Sequence, residues 1–174
     1  MAYNAKQIAT EFIQLANADG KKLTPMQLQK LVYFAYGWYL AITGERLIDE
    51  RVEAWQWGPV IPSLYSAFRE YGSDPIDDVP GELYFDGAKI KVRKFPLVSD
   101  DPGRDTIARN VIRRVWEIYG KYSASQLSGM THEPNSPWSR TPGREIKGTD
   151  ISDDLIADYF RRLANDERSA SAAR

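Results

Sequence analysis

The fold is decided by residues 23–71, which read LTPMQLQKLVYFAYGWYLAITGERLIDERVEAWQWGPVIPSLYSAFREY. The centre of this stretch, residues 31–42, is almost wholly apolar and rich in aromatic side chains. Thr24-Pro25 before it is a typical helix start, and Thr43-Gly44 after it is a typical helix end. The apolar run is too short to cross a bilayer, which takes about 20 residues. It therefore predicts a helix that is buried on most of its circumference, with the rest of the domain packed around it.

Composition limits the class of protein. The chain has 174 residues, of which 43% are hydrophobic and 12% aromatic, so a single core that buries about 70% of its surface is expected. This length favours one compact domain over two. The net charge of −1 gives no general attraction to nucleic acid or to an anionic membrane, and neither is expected as a partner. The N-terminus lacks the pattern of a signal peptide, which favours a cytoplasmic protein.

Metal and cofactor chemistry find little support in the sequence. The chain has no cysteine and one histidine, which excludes thiolate sites and multi-histidine zinc sites. Neither a phosphate-binding loop nor a dinucleotide fingerprint is present. We therefore expect no metal and no cofactor.

Apolar periodicity and capping residues predict a mainly α (α+β) fold, a compact single domain of about six helices around the buried aromatic helix. The residues at 165–174 are small and polar, which predicts a disordered tail and a domain that spans 1–164. The further helices are predicted at 4–19, 62–71, 105–119, 123–127 and 152–163.

Two segments predict β-structure. Residues 51–57 alternate between two sets of side chains, which predicts a short strand, and Gly58-Pro59 is expected to turn the chain after it. Asp86-Gly87 is a strong hairpin turn signal and predicts paired strands at 82–85 and 89–93.

The two tryptophans of the first predicted strand bear on function. Trp55 and Trp57 fall on one face of the strand, opposite Gln56, and Glu53 shares their face. A wholly buried face would bury Glu53 as well, so either Glu53 has a partner or the face is partly open. Tryptophans are frequent anchors of protein interfaces. The alternative is that both tryptophans fill the core against the second and third helices.

A catalytic role would have to depend on His132, the only histidine of the chain. No nucleophile-elbow motif accompanies it, and the nearness of Ser128 in sequence does not establish catalytic geometry. The alternative is that the ring makes a structural hydrogen bond that holds the proline-rich segment 131–142 against the domain. We expect a protein without enzymatic activity, and an enzyme that uses His132 remains an alternative.

A set of short motifs is distributed over roughly residues 5–138, most of the chain. Together these motifs resemble the Panacea domain family of SocA-like antitoxins, and the combination is specific although single pieces are not. The motifs are Lys30-Leu31, Tyr33-Phe34, Gly37-Trp38, Glu53-Ala54-Trp55, Gly58-Pro59-Val60, Tyr71-Gly72, Leu127-Ser128, Thr131-His132 and Pro137-Trp138.

The resemblance implies a type II antitoxin of bacterial or prophage origin, with a role in phage defence. Such a protein binds a toxin that is encoded beside it, and toxins of this family include translation-inhibiting enzymes similar to small alarmone synthetases. The resemblance also implies an alternative, an adaptor that delivers its toxin to the ClpXP protease. Neither activity requires a catalytic residue in this chain.

The resemblance and the tryptophan pattern together give two sets of candidate residues. The first set is expected to contact the partner, and it consists of Glu53, Trp55, Trp57, Gly58 and Pro59. The second set is expected to form a structural motif, and it consists of Thr131, His132, Pro137 and Trp138.

Overall fold

The computed structural model describes residues 2–79, 81–95, 97–98 and 104–173. The fold of this part of the chain is mainly α with two short antiparallel hairpins, which confirms the predicted fold class. The α-helices are Ala5–Ala18 (α1), Pro25–Thr43 (α2), Pro62–Phe68 (α3), Arg104–Tyr119 (α4), Ala124–Thr131 (α5), Pro137–Arg140 (α6) and Asp153–Ala172 (α7). The strands are Glu53–Trp55 (β1) paired with Gly58–Val60 (β2), and Gly81–Phe85 (β3) paired with Ile90–Lys94 (β4).

Helix α2 is the centre of the fold, as its composition predicts. Thr24 caps its first turn in a capping box with Gln27, and Gly44 ends it in the left-handed conformation. Helices α1, α3, α4, α5 and α7 and strand β2 all contact α2. Its aromatic residues Tyr33, Phe34, Tyr36 and Tyr39 are buried. Most of this helix is covered by its neighbours and few of its positions face solvent, which explains its nearly unbroken apolar sequence.

Gly37 lies where α7 crosses α2. A Cβ atom on Gly37 would lie 2.1 Å from Cε2 of Phe160, so only glycine fits at this position. The close approach at Gly37 therefore involves an aromatic ring of α7. Phe160 is itself fully buried, and its ring packs edge-on against Trp38 at 5.1 Å.

The first hairpin differs from the prediction. Gln56 and Trp57 form its turn, and Gly58 is already paired with Trp55 as part of β2. The tryptophans therefore do not share the face of one strand. Alternation misled the prediction because it continues through a tight turn without interruption, and because Gly58, with φ of 102°, lies directly after the turn rather than in it.

The C-terminal segment also differs from the prediction. Helix α7 continues to Ala172, so residues 165–172 are helical rather than disordered, and Arg174 lies outside the described residues. These residues include several good helix formers and no glycine or proline that would end the helix. Their side chains are all exposed, so this part of α7 adds nothing to the core.

The second hairpin agrees with the prediction, and its turn is closed by Asp86, whose Oδ1 accepts hydrogen bonds from the backbone N–H groups of Ala88 and Lys89. In the described part of the chain, no helix combines the length and the apolar character needed to span a bilayer.

Candidate functional site

The turn of the β1–β2 hairpin is fixed by hydrogen bonds to three consecutive backbone carbonyls, those of residues 55–57. The Nε1 of Trp138 donates to the first at 2.6 Å, and the Oγ of Ser128 donates to the third at 3.0 Å. The Nε2 of His132 lies 3.1 Å from the second. Turn carbonyls normally bond to water, so these three side chains replace solvent with fixed partners. We call residues 55–59 with these bonds the clamped hairpin.

Lys30 holds the returning strand of the clamped hairpin. Its side chain is fully buried, and its Nζ donates to the carbonyl oxygen of Pro59 at 2.9 Å. Burial lowers the pKa of Lys30 to about 7. The neighbouring Gln29 pairs with both backbone groups of Ile61, at 2.9 and 3.0 Å. The start of α2 thus fixes the path of the chain from β2 into α3.

Gly58 and Pro59, which were predicted to contact a partner, are both buried in the free protein. A Cβ atom on Gly58 would lie 2.4 Å from Oγ1 of Thr131 and 3.0 Å from Nζ of Lys30. The glycine is therefore required so that β2 can lie directly against α2 and α5. The two residues shape the hairpin and present no side chain to solvent.

His132 uses both of its ring nitrogens within the protein. The Nδ1 lies 2.7 Å from the carbonyl oxygen of Ser128, and the Nε2 faces the carbonyl of Gln56. The ring also packs against Trp138, with centroids 4.2 Å apart. A neutral imidazole carries one N–H and can donate to only one of these two carbonyls, but each nitrogen already lies within hydrogen-bond distance of a carbonyl oxygen of this chain. This arrangement favours the interpretation of His132 as a structural residue. The ring also contacts the hairpin turn, in addition to the segment that the sequence analysis considered.

The other predicted motif residues, Thr131, Pro137 and Trp138, lie beneath the hairpin turn or next to residues that bond to it. Thr131 is buried, and its Oγ1 donates to the carbonyl of Ser128 at 2.7 Å. Pro137 is buried as the first residue of α6, whose start is capped by the Oγ of Ser136. This short helix places the indole of Trp138 under the hairpin turn.

The outer surface of the clamped hairpin is aromatic. Trp57 is at the turn, and 61% of its surface is exposed. Trp55 is half-buried, its Nε1 donates to Oε2 of Glu53 at 2.8 Å, and its ring contacts Tyr65 with centroids 4.9 Å apart. The indole of Trp55 is therefore the partner of Glu53 that the sequence left open, and Trp57 does not fill the core.

An apolar groove of about 410 Å³ lies between the hairpin, the start of α2 and α3. Its wall includes Met26, Leu64 and Phe68, and its rim carries the exposed rings of Trp57 and Tyr65. In the described part of the chain, no group of three or more histidine, cysteine, aspartate or glutamate residues is placed to hold a metal ion. The exposed feature of this region is thus an aromatic surface beside an apolar groove.

Two residues of the clamp, Ser128 and Lys30, were not among the predicted site residues. The sequence does indicate Lys30. A lysine between Leu28 and Leu31 on an apolar helix must either be buried with a hydrogen-bond partner or lie at the edge of the apolar face. Ser128 belongs to one of the family motifs, but nothing in the sequence indicates its hydrogen-bond acceptor, a backbone carbonyl distant in sequence.

Comparison with known proteins identifies a family for the chain. Residues 28–139 match the family model described as "Antitoxin SocA-like, Panacea domain". The chain belongs to this Panacea domain family. The antitoxin SocA of Caulobacter vibrioides (strain NA1000 / CB15N) is 32% identical over 162 residues, which cover 91% of this chain and 82% of that relative. No solved structure matches the chain. The matched part of the Panacea domain contains the whole clamped hairpin and all four side chains that bond to its carbonyls.

Proposed function

We propose that this Panacea domain is the antitoxin of a type II toxin–antitoxin pair, and that it neutralises a toxin encoded beside it by direct contact through the clamped hairpin. Membership of the family and the likeness to a relative named as an antitoxin support the antitoxin role. The observation that carries the mode of action is the exposed Trp57 on a turn whose carbonyls are held by protein side chains.

Pre-organisation is the physical reason for choosing this surface. A flexible loop loses conformational entropy when a partner orders it, and this cost reduces the binding free energy. The backbone at the turn of the clamped hairpin is already held by side-chain contacts, so the cost of ordering the backbone that carries Trp57 is small. An exposed tryptophan on an ordered turn beside an apolar groove has the composition of an interface hot spot.

The proposal does not require a catalytic residue. The toxin would lose activity because its surface is covered, and an apolar side chain of the toxin would occupy the groove lined by Met26, Leu64 and Phe68. A toxin that inhibits translation, similar to a small alarmone synthetase, is the target implied by the family resemblance.

The first prediction concerns Trp57. We expect Trp57→Ala to weaken binding of the purified neighbouring gene product by about 2 kcal/mol or more, roughly 30-fold, as measured by calorimetry. Co-expressed with that product in bacteria, the variant should restore less growth than the wild type. Ile42→Ala is the matched control, because Ile42 is a similarly exposed apolar side chain, 64% exposed, at the far end of α2. An equal loss with both variants, or a neighbour that is harmless alone, contradicts the proposal.

Toxin abundance separates direct contact from delivery to a protease. Neutralisation by contact leaves the half-life of the toxin unchanged, with and without ClpXP in the host strain. A toxin that is removed faster when this protein is present, and only when the protease is present, would instead establish the adaptor function that the family resemblance also implies.

A further inference from the structure

A second cleft shares Trp55 and Gln56 with the apolar groove as lining residues. Its volume is about 680 Å³, and its walls include the half-buried rings of Trp55 and Trp138. Its rim comes from the segment between α6 and α7, which contributes Arg144, Glu145 and Lys147. The proposed function does not involve this cleft.

The two cations of the cleft are each positioned over one of its tryptophans. The guanidinium of Arg144 lies 5.1 Å from the centroid of the Trp138 ring, and its Nη1 donates to the carbonyl of Ser139 at 2.9 Å. The Nζ of Lys147 lies 5.6 Å from the centroid of the Trp55 ring. Stacking on the rings restricts these long side chains and leaves N–H groups directed away from the rings.

Neither cation is neutralised by a carboxylate within the described part of the chain. The ion pairs found there involve other residues, and neither Arg144 nor Lys147 takes part in one. Glu145 lines the same cleft, and the carboxylate of Glu53 accepts a hydrogen bond from the indole of Trp55 in its wall. The two cations lie near these carboxylates without forming an ion pair with either, so their N–H groups remain available to a further carboxylate.

We propose that this cleft binds a carboxylate of the partner, from an aspartate, a glutamate or the chain end, carried on a segment whose adjacent apolar side chain packs against Trp55 and Trp138. This inference rests on the proposed function and names the chemistry of the toxin segment. A guanidinium stacked on one face still offers a planar pair of N–H donors, which matches a carboxylate. Two cations are too few for a nucleic-acid footprint, which requires many phosphate contacts.

Two surfaces beside the hairpin would then bind different chemical groups of one partner, one apolar and one charged. Trp55 and Gln56 line both the apolar groove and the cleft. A toxin segment that crosses the hairpin would place an apolar side chain on one side and a carboxylate on the other. The groove would supply most of the affinity, and the cleft would supply selectivity and a faster, salt-dependent association.

The test compares two double variants that remove the same kinds of charge. Arg144→Gln with Lys147→Gln removes the cations of the cleft. Arg93→Gln with Lys121→Gln is the matched control, because that arginine and lysine also lie over aromatic rings, at 5.5 and 5.3 Å, but outside the cleft. Binding of the purified neighbouring gene product is measured by calorimetry at about 50, 150 and 500 mM NaCl. Over this range the Debye length falls from about 14 to about 4 Å, so charge interactions are increasingly screened.

We expect the cleft variant to bind at least tenfold more weakly at the lowest salt and to lose most of the salt dependence, while the control keeps both. Trp57→Ala should weaken binding at every salt concentration and keep the slope. Equal affinities for wild type and cleft variant would overturn the carboxylate site and leave direct contact standing. If the neighbouring product does not bind the wild-type protein at all, the proposed function fails and this inference fails with it.

A zero-length carbodiimide cross-link gives an independent readout. The reagent joins an amine to a carboxylate only when the two are in contact, so mass spectrometry of the wild-type complex should identify Lys147 joined to an aspartate, a glutamate or the C-terminus of the partner. Cross-links from other lysines of this chain in the absence of any from Lys147 would overturn the proposal.

Discussion

At the scale of single residues, Lys30 shows how the family motif acts on the hairpin. An amine with no exposed surface is unfavourable as a cation, which is why burial lowers its pKa to about 7. Its hydrogen bond to the carbonyl of Pro59 offsets part of that cost. The lysine therefore stabilises one backbone path rather than the domain as a whole.

The pH dependence of unfolding tests this role. The unfolded lysine has a pKa near 10.4 and the folded one about 7, so between these values the unfolded state binds more protons. The free energy of unfolding should consequently rise with pH from 7 to 9, by up to about 1.4 kcal/mol per pH unit. Below pH 7 both states are protonated and this contribution to the slope disappears. Urea unfolding at several pH values measures it.

Lys30→Met should remove that slope, because methionine does not titrate. Lys121→Met, at an exposed lysine, should keep it. Equal slopes in wild type and Lys30→Met would show that Lys30 does not carry the effect. The tyrosines of the unfolded chain ionise near pH 10, which is why the comparison ends at pH 9.

At the scale of elements, the crossing of α2 and α7 depends on the pair Gly37 and Phe160. Alanine usually stabilises a helix interior by up to about 1 kcal/mol over glycine. Here its methyl group would overlap the ring of Phe160, and overpacking typically costs about 1–3 kcal/mol. We expect Gly37→Ala to be destabilising overall, as measured by chemical denaturation.

Gly129→Ala is the matched control, because Gly129 also lies within a helix, α5, and has open space around its Cβ position. That variant should be stabilised by about 0.5–1 kcal/mol. Combining Gly37→Ala with Phe160→Leu should cost less than the sum of the two single changes, since the smaller side chain relieves the overlap. Strict additivity would contradict the steric explanation.

The same scale shows where sequence patterns predict structure and where they do not. The ends of α2 were predictable because Thr24, Gln27 and Gly44 act on the backbone next to them. The turn at Gln56 and Trp57 was not predictable in this way, because the alternation of side chains continues unchanged through a tight reversal of the chain. Those patterns also could not locate the clamp, since an indole or imidazole that bonds to a distant carbonyl leaves no spacing in the sequence.

At the scale of the whole molecule, the core is built from helices that surround α2, and the hairpin is attached to it by side chains from α2, α5 and α6. Residues 165–172, which were predicted to be a disordered tail, are helical but lie outside this arrangement. The extent of the functional domain is therefore a question of which part of α7 packs on α2. Phe160 does, and the exposed side chains of 165–172 do not.

Truncation tests the domain boundary at 164. Removing 165–174 should shift the melting temperature by no more than a few degrees and leave partner binding unchanged, because the side chains of residues 165–173 are exposed and bury no core surface. Removing 155–174 should abolish cooperative unfolding, because it deletes Ile156 and Phe160, which are both fully buried. Thermal unfolding followed by circular dichroism measures both. If the shorter deletion alone abolishes binding while the protein stays folded, the end of α7 belongs to the partner surface, and the functional domain extends beyond residue 164.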